Sequence, residues 1–151
     1  MKTLGLFPFI ALVIILQACS TSKVVISNGI DLSNYSYVVF GKEATGDREL
    51  DDIVMSVQNE IADTKLKVVS ARDALVKIAN GESVLSPNIH VSTEKWDGGH
   101  TYITITFYDY DTNQSVAVLK SSGIGMTISQ DQNIALGAIR KKLKKVFGDK
   151  Q

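Results

Sequence analysis

The sequence is poor in the residue types that build metal, redox and nucleophilic sites. Its 151 residues include one cysteine, Cys19, and two histidines, His90 and His100. A lone cysteine excludes an internal disulfide and a cysteine-rich zinc site. The histidines do not have the spacing of a His-Glu-x-x-His zinc motif, and no Gly-x-Ser-x-Gly nucleophile elbow is present. We therefore expect no metal, no cofactor and no enzymatic activity.

The sequence also lacks an excess of charge of either sign. It has 16 basic and 16 acidic residues, so its formal net charge is zero. Proteins that bind nucleic acid through its phosphates concentrate positive charge. We therefore expect no nucleic-acid partner.

One long apolar run is present, at the start of the chain. Lys2 precedes an apolar stretch from Leu4 to Leu16, which Gln17 and Ala18 end. At about 1.5 Å per helical residue this stretch is too short to cross a hydrocarbon core of about 30 Å comfortably. The pattern predicts a signal peptide and not a spanning anchor.

Leu16, Gln17, Ala18 and Cys19 close that run. This tetrapeptide resembles the lipobox of bacterial lipoproteins, in which an aliphatic residue stands three before the cysteine and a small one directly before it. The resemblance implies cleavage between Ala18 and Cys19, a diacylglyceryl group on the Cys19 thiol and acylation of the new amine, for example by palmitate. The alternative is an ordinary secretory signal with an incidental cysteine.

Three segments follow from this interpretation: a signal peptide over 1–18, a lipidated N-terminus with a short tether over 19–30, and a single domain over 31–151. Residues 24–26 are apolar and suit either an edge strand or an ordered tether. Because residues 1–18 contain Lys2 and no acidic residue, the processed chain has 15 basic and 16 acidic side chains.

By resemblance to Gram-negative lipoproteins, Ser20 after the cysteine favours the outer membrane, facing the periplasm. A Gram-positive source would place the domain outside the single membrane.

Apolar periodicity and capping residues predict the elements of the domain. Strands are predicted over 35–40, 65–69, 89–96, 101–109 and 115–121, and helices over 48–64, from an N-cap at Ser70, and from an N-cap at Ser129 to Gly148. This order predicts an α+β domain, with about three helices packed on one face of a mostly antiparallel sheet of about five strands. The layout resembles that of small envelope lipoproteins of unknown function.

The central hairpin alternates between apolar and polar or aromatic side chains. The apolar faces of its two strands coincide if the loop has an odd number of residues, such as the three residues 97–99. The other face then carries a set of aromatic and hydroxyl side chains, Trp96, Tyr102, Thr104, Tyr108 and Tyr110. Amphipathic aromatics of this kind suit a partner or glycan. The alternative is that they merely suit an exposed pleated surface.

Two further patterns imitate ligand sites. Asp109, Asp111 and Asn113 have the spacing of the start of a calcium loop, but Gln114 and Lys120 replace its glycine and its bidentate glutamate. We interpret this segment as a hairpin turn. A third glycine is missing after the Gly-Ile-Gly segment over 123–125, and a phosphate cradle is not predicted there.

The densest charge is basic and lies in the last predicted helix, at Arg140, Lys141, Lys144 and Lys145. Such a cluster is attracted to anionic membrane headgroups. It also suits a solvated helix face near the negative end of the helix dipole.

These observations favour a lipid-anchored, non-enzymatic envelope protein that binds an envelope protein or glycan through its open sheet face. The alternative is an envelope hydrolase or glycan-processing enzyme whose site carries no recognisable motif. A cleft that holds a carboxylate or histidine of perturbed pKa would favour the enzyme.

Overall fold

A computed structural model describes residues 20–41, 47–94 and 99–150. The predicted signal peptide, the lipobox with Ala18 and Cys19, and Trp96 lie outside these residues. The described elements are, in chain order, β1 (Ser20–Ile26), a 3₁₀ turn (Leu32–Asn34), β2 (Tyr35–Val38), α1 (Arg48–Ala62), β3 (Lys67–Val68), α2 (Ala71–Ala79), β4 (Ser83–Glu94), β5 (His100–Asp109), β6 (Ser115–Gly123) and α3 (Ile128–Phe147). None of the helices in these ranges is long and apolar enough to cross a membrane.

The strands form one sheet in the order β1-β6-β5-β4-β2-β3. The α+β class is confirmed, but the sheet is mixed and not mostly antiparallel. β2 runs parallel to both β3 and β4, whereas the β4–β5, β5–β6 and β1–β6 pairs are antiparallel. The parallel pairs arise because α1 and α2 separate these strands in sequence, and a helical crossover returns the chain in the same direction.

The sixth strand is β1, which pairs with β6 along its whole length, from Ser20 opposite Gly123 to Ile26 opposite Ala117. Of the two interpretations of residues 24–26, the edge strand is the one observed. The strand begins before these residues, at Ser20, so residues 20–26 belong to the sheet and not to a free tether.

The main core lies between the sheet and helices α1 and α3. Strand residues of one face, such as Leu85, Ile103 and Phe107, pack there against Ile61 and Leu143 of the helices, and all five are fully buried. Most of the buried apolar residues of the described chain belong to this core, so it accounts for most of the hydrophobic stabilisation.

The prediction of all helices on one face is wrong for α2. Val84 adjoins Leu85 in β4 and therefore points to the opposite face, where it packs with Val39, the residue after β2, and with Ala74 of α2. The sequence has two pairs of successive buried residues here, Val38-Val39 and Val84-Leu85. Since successive residues point to opposite faces, each pair needs a cover on both faces, and α2 provides the second one. This end of the sheet is covered on both faces, as parallel strands usually are.

The hairpin register agrees with the predicted coincidence of faces. Val91 lies opposite Ile103, and the ladder ends where Glu94 pairs with His100. Five residues therefore separate the paired strands, an odd number but longer than the predicted three. β4 also begins earlier than predicted and passes through Pro87, which is tolerated because its pairing with β2 ends at Leu85.

The helix caps follow side-chain chemistry. Asp47 and Ser70 cap α1 and α2 as predicted, and the Ser70 hydroxyl accepts the Asp73 N–H at 3.1 Å. The predicted cap Ser129 is wrong: Thr127 caps α3 by accepting the Gln130 N–H at 3.2 Å. Both Thr127 and Ser129 have glutamine three residues later, so the sequence offers two equivalent capping patterns.

Candidate functional site

The face of the sheet opposite α1 and α3 is uncovered over four strands. No described helix packs on it there, because α2 covers only the end formed by β2 and the start of β4. We call this surface the open face. Its side chains, by strand register, are Thr21, Lys23 and Val25 of β1, Val118, Lys120 and Ser122 of β6, His100, Tyr102, Thr104, Thr106 and Tyr108 of β5, and Ser86, Asn88, His90, Ser92 and Glu94 of β4.

The structure brings together three of the five residues predicted for a partner surface. Tyr102, Thr104 and Tyr108 share the open face, and Tyr102 is the most exposed of them at 40%. Tyr110 differs, because it packs into the small core between α2 and the sheet. Its role is to seal that core. Trp96 lies outside the described residues.

The charge of the open face is mainly basic. It carries Lys23, Lys120, His90 and His100, and its one acidic side chain within the described strands is Glu94, beside His100 at the hairpin end. Lys23 and Lys120 are directly paired across β1 and β6, and Thr104 lies opposite both Lys120 and His90. The sequence did not reveal this cluster because Lys23 joins it only when β1 pairs with β6.

Contacts at the hairpin end hold Tyr102 in place. Its ring meets that of His100 edge to face, with centroids 5.9 Å apart, and its hydroxyl lies 3.3 Å from His100 Nδ1. Glu94 Oε2 lies 3.5 Å from the same nitrogen. These contacts fix the orientation of the most exposed aromatic side chain on the open face.

The turn after β5 explains the calcium-like spacing. Asp109 Oδ1 accepts the N–H groups of Asp111 and Thr112, at 3.1 and 2.8 Å, and Oδ2 accepts the Tyr35 hydroxyl at 2.9 Å. Asn113 has a φ of 55°, a left-handed conformation that asparagine tolerates. Asp109 therefore organises the turn, and among the described residues no three His, Cys, Asp or Glu side chains cluster as metal ligands.

Tyr35 and Asp109 shift each other's pKa. Burial raises the pKa of Tyr35 to about 12, together with its hydrogen bond to the Asp109 carboxylate and the charge of that group. Burial acts to raise the pKa of Asp109, but hydrogen bonds from Thr112 and Tyr35 outweigh it and hold the pKa below its usual value.

The two glycines of the Gly-Ile-Gly segment serve packing. A Cβ at Gly123 would lie 2.6 Å from the backbone nitrogen of Ala135, so β6 and α3 meet without room for a side chain. The Gly125 N–H donates to Oδ1 of Asp131, which is fully buried in the first turn of α3. Oδ2 of Asp131 has no hydrogen-bond partner in the described part of the chain.

The basic cluster of α3 divides into paired and unpaired side chains. Arg140 makes a two-pronged ion pair with Glu60 of α1, and Lys144 lies 2.7 Å from Asp149. Lys141 and Lys145 have no ion pair within the described ranges, and neither has Lys142. These three lysines line a groove beside Ser20 and Ser22 of β1.

A larger cleft of about 920 Å³ shares Lys142 and Lys145 with this groove and lies between the end of β1, the 3₁₀ turn and the C-terminal end of α3. Its one carboxylate belongs to Asp31, which accepts the Ser33 N–H at 2.9 Å and its hydroxyl at 2.7 Å. These hydrogen bonds lower the pKa of Asp31. An exposed aspartate held ionised as a turn cap is not poised for proton transfer near neutral pH.

No protein-family model and no curated protein matches the chain. Solved structures share its fold, among them two PelC dodecamers from Paraburkholderia phytofirmans. One, a point variant, has a TM-score of 0.53 at 16% identity and covers 84% of this chain and 98% of its own; the other has a TM-score of 0.51 at 13% identity and covers 88% and 100%. A minor lipoprotein from Acinetobacter baumannii has a TM-score of 0.40 at 12% identity and covers 74% and 91%. At these identities the likeness to PelC shows the fold alone.

Proposed function

We propose that this chain is a lipid-anchored, non-enzymatic protein of the bacterial envelope that binds another envelope component through its open face. The observation that carries the proposal is the open face itself: four strands without a described helix on them, with Tyr102 and Tyr108 exposed or half-buried. Two lysines, Lys23 and Lys120, lie on it against one carboxylate, that of Glu94. A hydroxyl-rich aromatic surface offers both contact area and hydrogen bonds.

The anchor is the diacylglyceryl group that the lipobox implies at Cys19. Support comes from the position of β1, which begins at the next residue, Ser20. One extended residue spans at most about 3.6 Å, so lipid and sheet are joined almost without a spacer. The domain then sits against the bilayer, in our proposal the outer membrane with the domain facing the periplasm.

The basic cluster supports the same orientation. Lys141 and Lys145 line the groove beside Ser20, so they lie close to the point at which the lipid leaves the domain. Each basic residue near an anionic surface contributes on the order of 1 kcal/mol of attraction. Arg140 and Lys144 contribute less in this proposal, because Glu60 and Asp149 already pair with them.

Two kinds of partner suit the open face. Its positive charge favours an envelope protein or glycan that carries anionic groups. A second copy of this chain is the other candidate, since two structural neighbours that share its fold are PelC dodecamers.

The recognition step is tested by photo-crosslinking in cells, with the probe at Thr104 on the open face and a matched probe at Asp63, exposed at the end of α1. We expect a discrete adduct from Thr104 alone, whose mass distinguishes a second copy from another protein or a glycan. The proposal fails if neither position gives an adduct while the protein fractionates with membranes.

Attachment is tested separately with Cys19→Ser. Mass spectrometry of the wild-type chain is expected to show cleavage before Cys19 and a diacylglyceryl group on it, and Cys19→Ser is expected to leave the membrane fraction. Wild-type chain without the lipid would contradict the anchor but not the binding face.

A further inference from the structure

The cleft at the end of β1 has an apolar floor beneath a basic rim. Apolar side chains from four parts of the chain line it, namely Val24, Ile26, Ile30, Leu66 and Phe147. Its volume of about 920 Å³ lies within the roughly 300–1,000 Å³ typical of small-molecule sites. Ile26 is 46% exposed, so apolar surface remains open to an occupant.

The rim is formed by Lys65, Lys142 and Lys145. None of these three ammonium groups has an ion pair within residues 20–41, 47–94 and 99–150. The carboxylate of Asp31 also lines the cleft, but it already accepts two hydrogen bonds from Ser33. Three cations against one engaged carboxylate favour an anionic ligand.

The cleft is also connected to the expected position of the membrane. Lys142 and Lys145 line both the cleft and the groove beside Ser20 and Ser22. A basic strip thus runs along β1 from the residue that follows Cys19 to the apolar floor. A molecule bound there would have its charged end on the strip and its apolar part inside.

We propose that this cleft binds an acyl chain that bears an anionic headgroup, with the chain against Ile26 and Phe147 and the headgroup at Lys142 and Lys145. The lysine stems extend the apolar surface while their ammonium groups meet the headgroup. That the ligand comes from the bilayer rests on the membrane attachment proposed above. That the cleft binds an anionic acyl chain does not depend on this attachment, since a free fatty acid also has an acyl chain and an anionic headgroup.

The test uses the full chain, purified from membranes and reconstituted in nanodiscs, with three photoactivatable acyl probes: phosphatidylglycerol, phosphatidylcholine and free palmitate. Adducts are mapped by peptide mass spectrometry, and the apparent palmitate affinity is taken from adduct yield against concentration. We expect adducts in the peptides around Ile26 and Phe147 from at least one anionic probe and little from phosphatidylcholine. Phosphatidylglycerol would identify the bilayer as the source, and palmitate a free acid.

The double variant Lys142→Gln/Lys145→Gln is expected to weaken the apparent palmitate affinity about thirtyfold, because it removes two cationic contacts with the anionic headgroup. The matched control is Lys23→Gln/Lys120→Gln, which removes the same charge from the open face and should leave binding unchanged. Ile26→Gln tests the floor and should reduce adduct yield without changing charge. Circular dichroism confirms that each variant is folded.

The proposal is overturned if phosphatidylcholine labels the cleft as strongly as the anionic probes, if no probe labels it, or if both lysine double variants lose binding equally. A failure of the anchor has a different signature. Cys19 would lack its lipid in the mass spectrum, while palmitate added in solution would still label the cleft.

Discussion

The Tyr35 hydroxyl donates a hydrogen bond of 2.9 Å to Asp109 Oδ2, and the two residues are 74 apart in sequence. The bond ties the first residue of β2 to the last residue of β5. Asp109 Oδ1 meanwhile holds the turn between β5 and β6 through Asp111 and Thr112. One carboxylate thus fixes both the hairpin that bounds the open face and the strand beside the cleft.

Tyr35→Phe should lower the free energy of unfolding by about 1–2 kcal/mol, because it removes a hydrogen bond to a charged group and leaves the carboxylate with fewer donors. Equilibrium denaturation in urea measures the change. The matched control is Tyr108→Phe, since the Tyr108 hydroxyl has no hydrogen bond within the described residues. Equal losses in the two variants would show that the Tyr35–Asp109 bond contributes nothing specific.

Stability should depend on pH at both extremes through this pair. The pKa of Tyr35 is raised from 10.0 to about 12, so the folded state holds the proton more tightly and stability falls as pH rises between these values. The pKa of Asp109 is lowered from 3.8, so its contribution is present above 3.8 and is lost as pH falls through the lower folded value. The stability difference between wild type and Tyr35→Phe, measured from pH 7 to 12, should shrink above pH 10. A difference that stays constant to pH 12 would contradict the assignment.

Gly123→Ala should destabilise the domain by about 1–3 kcal/mol, because its Cβ would meet the backbone of α3 near Ala135 and the helix must move. Gly137 provides the control within α3: a Cβ there meets nothing within 4 Å, so Gly137→Ala should stabilise by about 0.5–1 kcal/mol. Thermal unfolding of both variants decides the matter. The packing argument is refuted if the two alanines shift the midpoint in the same direction.

Arg140→Met should lower the unfolding midpoint more than Lys144→Met does. Glu60, the partner of Arg140, is 8% exposed, and without the guanidinium its carboxylate is left in a largely buried site. Asp149, the partner of Lys144, is exposed and is solvated when its partner is removed. Calorimetric scans of the two variants under the same buffer conditions provide the comparison.

Several features of the fold could be predicted because they depend on neighbours in sequence. The alternation of apolar and polar side chains along β5 identified its buried face. The caps at Asp47 and Ser70 could be predicted because each side chain accepts a backbone N–H from the first turn of the helix that follows it. The predicted N-cap of α3 was wrong because Thr127 and Ser129 are each followed by a glutamine three residues later, and the sequence does not distinguish the two.

The candidate site was predicted in part for the same reason. Tyr102, Thr104 and Tyr108 share a face by strand periodicity alone. Tyr110 continues that periodicity but is covered by α2, and Lys23 joins the face from a strand that no local pattern pairs with β6. The cleft was not foreseen, because residues from β1, the 3₁₀ turn and α3 meet there only after folding.

By itself the sequence determined the class of the fold, most of the strands and helices, the alternation of the open face and the lipobox that motivates the proposed anchor. Each of these depends on residues within a few positions of one another. Tertiary structure alone decided the mixed sheet, the place of α2 on the second face, the pairing of Arg140 with Glu60 and the basic strip beside Ser20. Those features join segments far apart in the chain, and the burial of apolar surface that brings them together is not directional, so no local pattern specifies them.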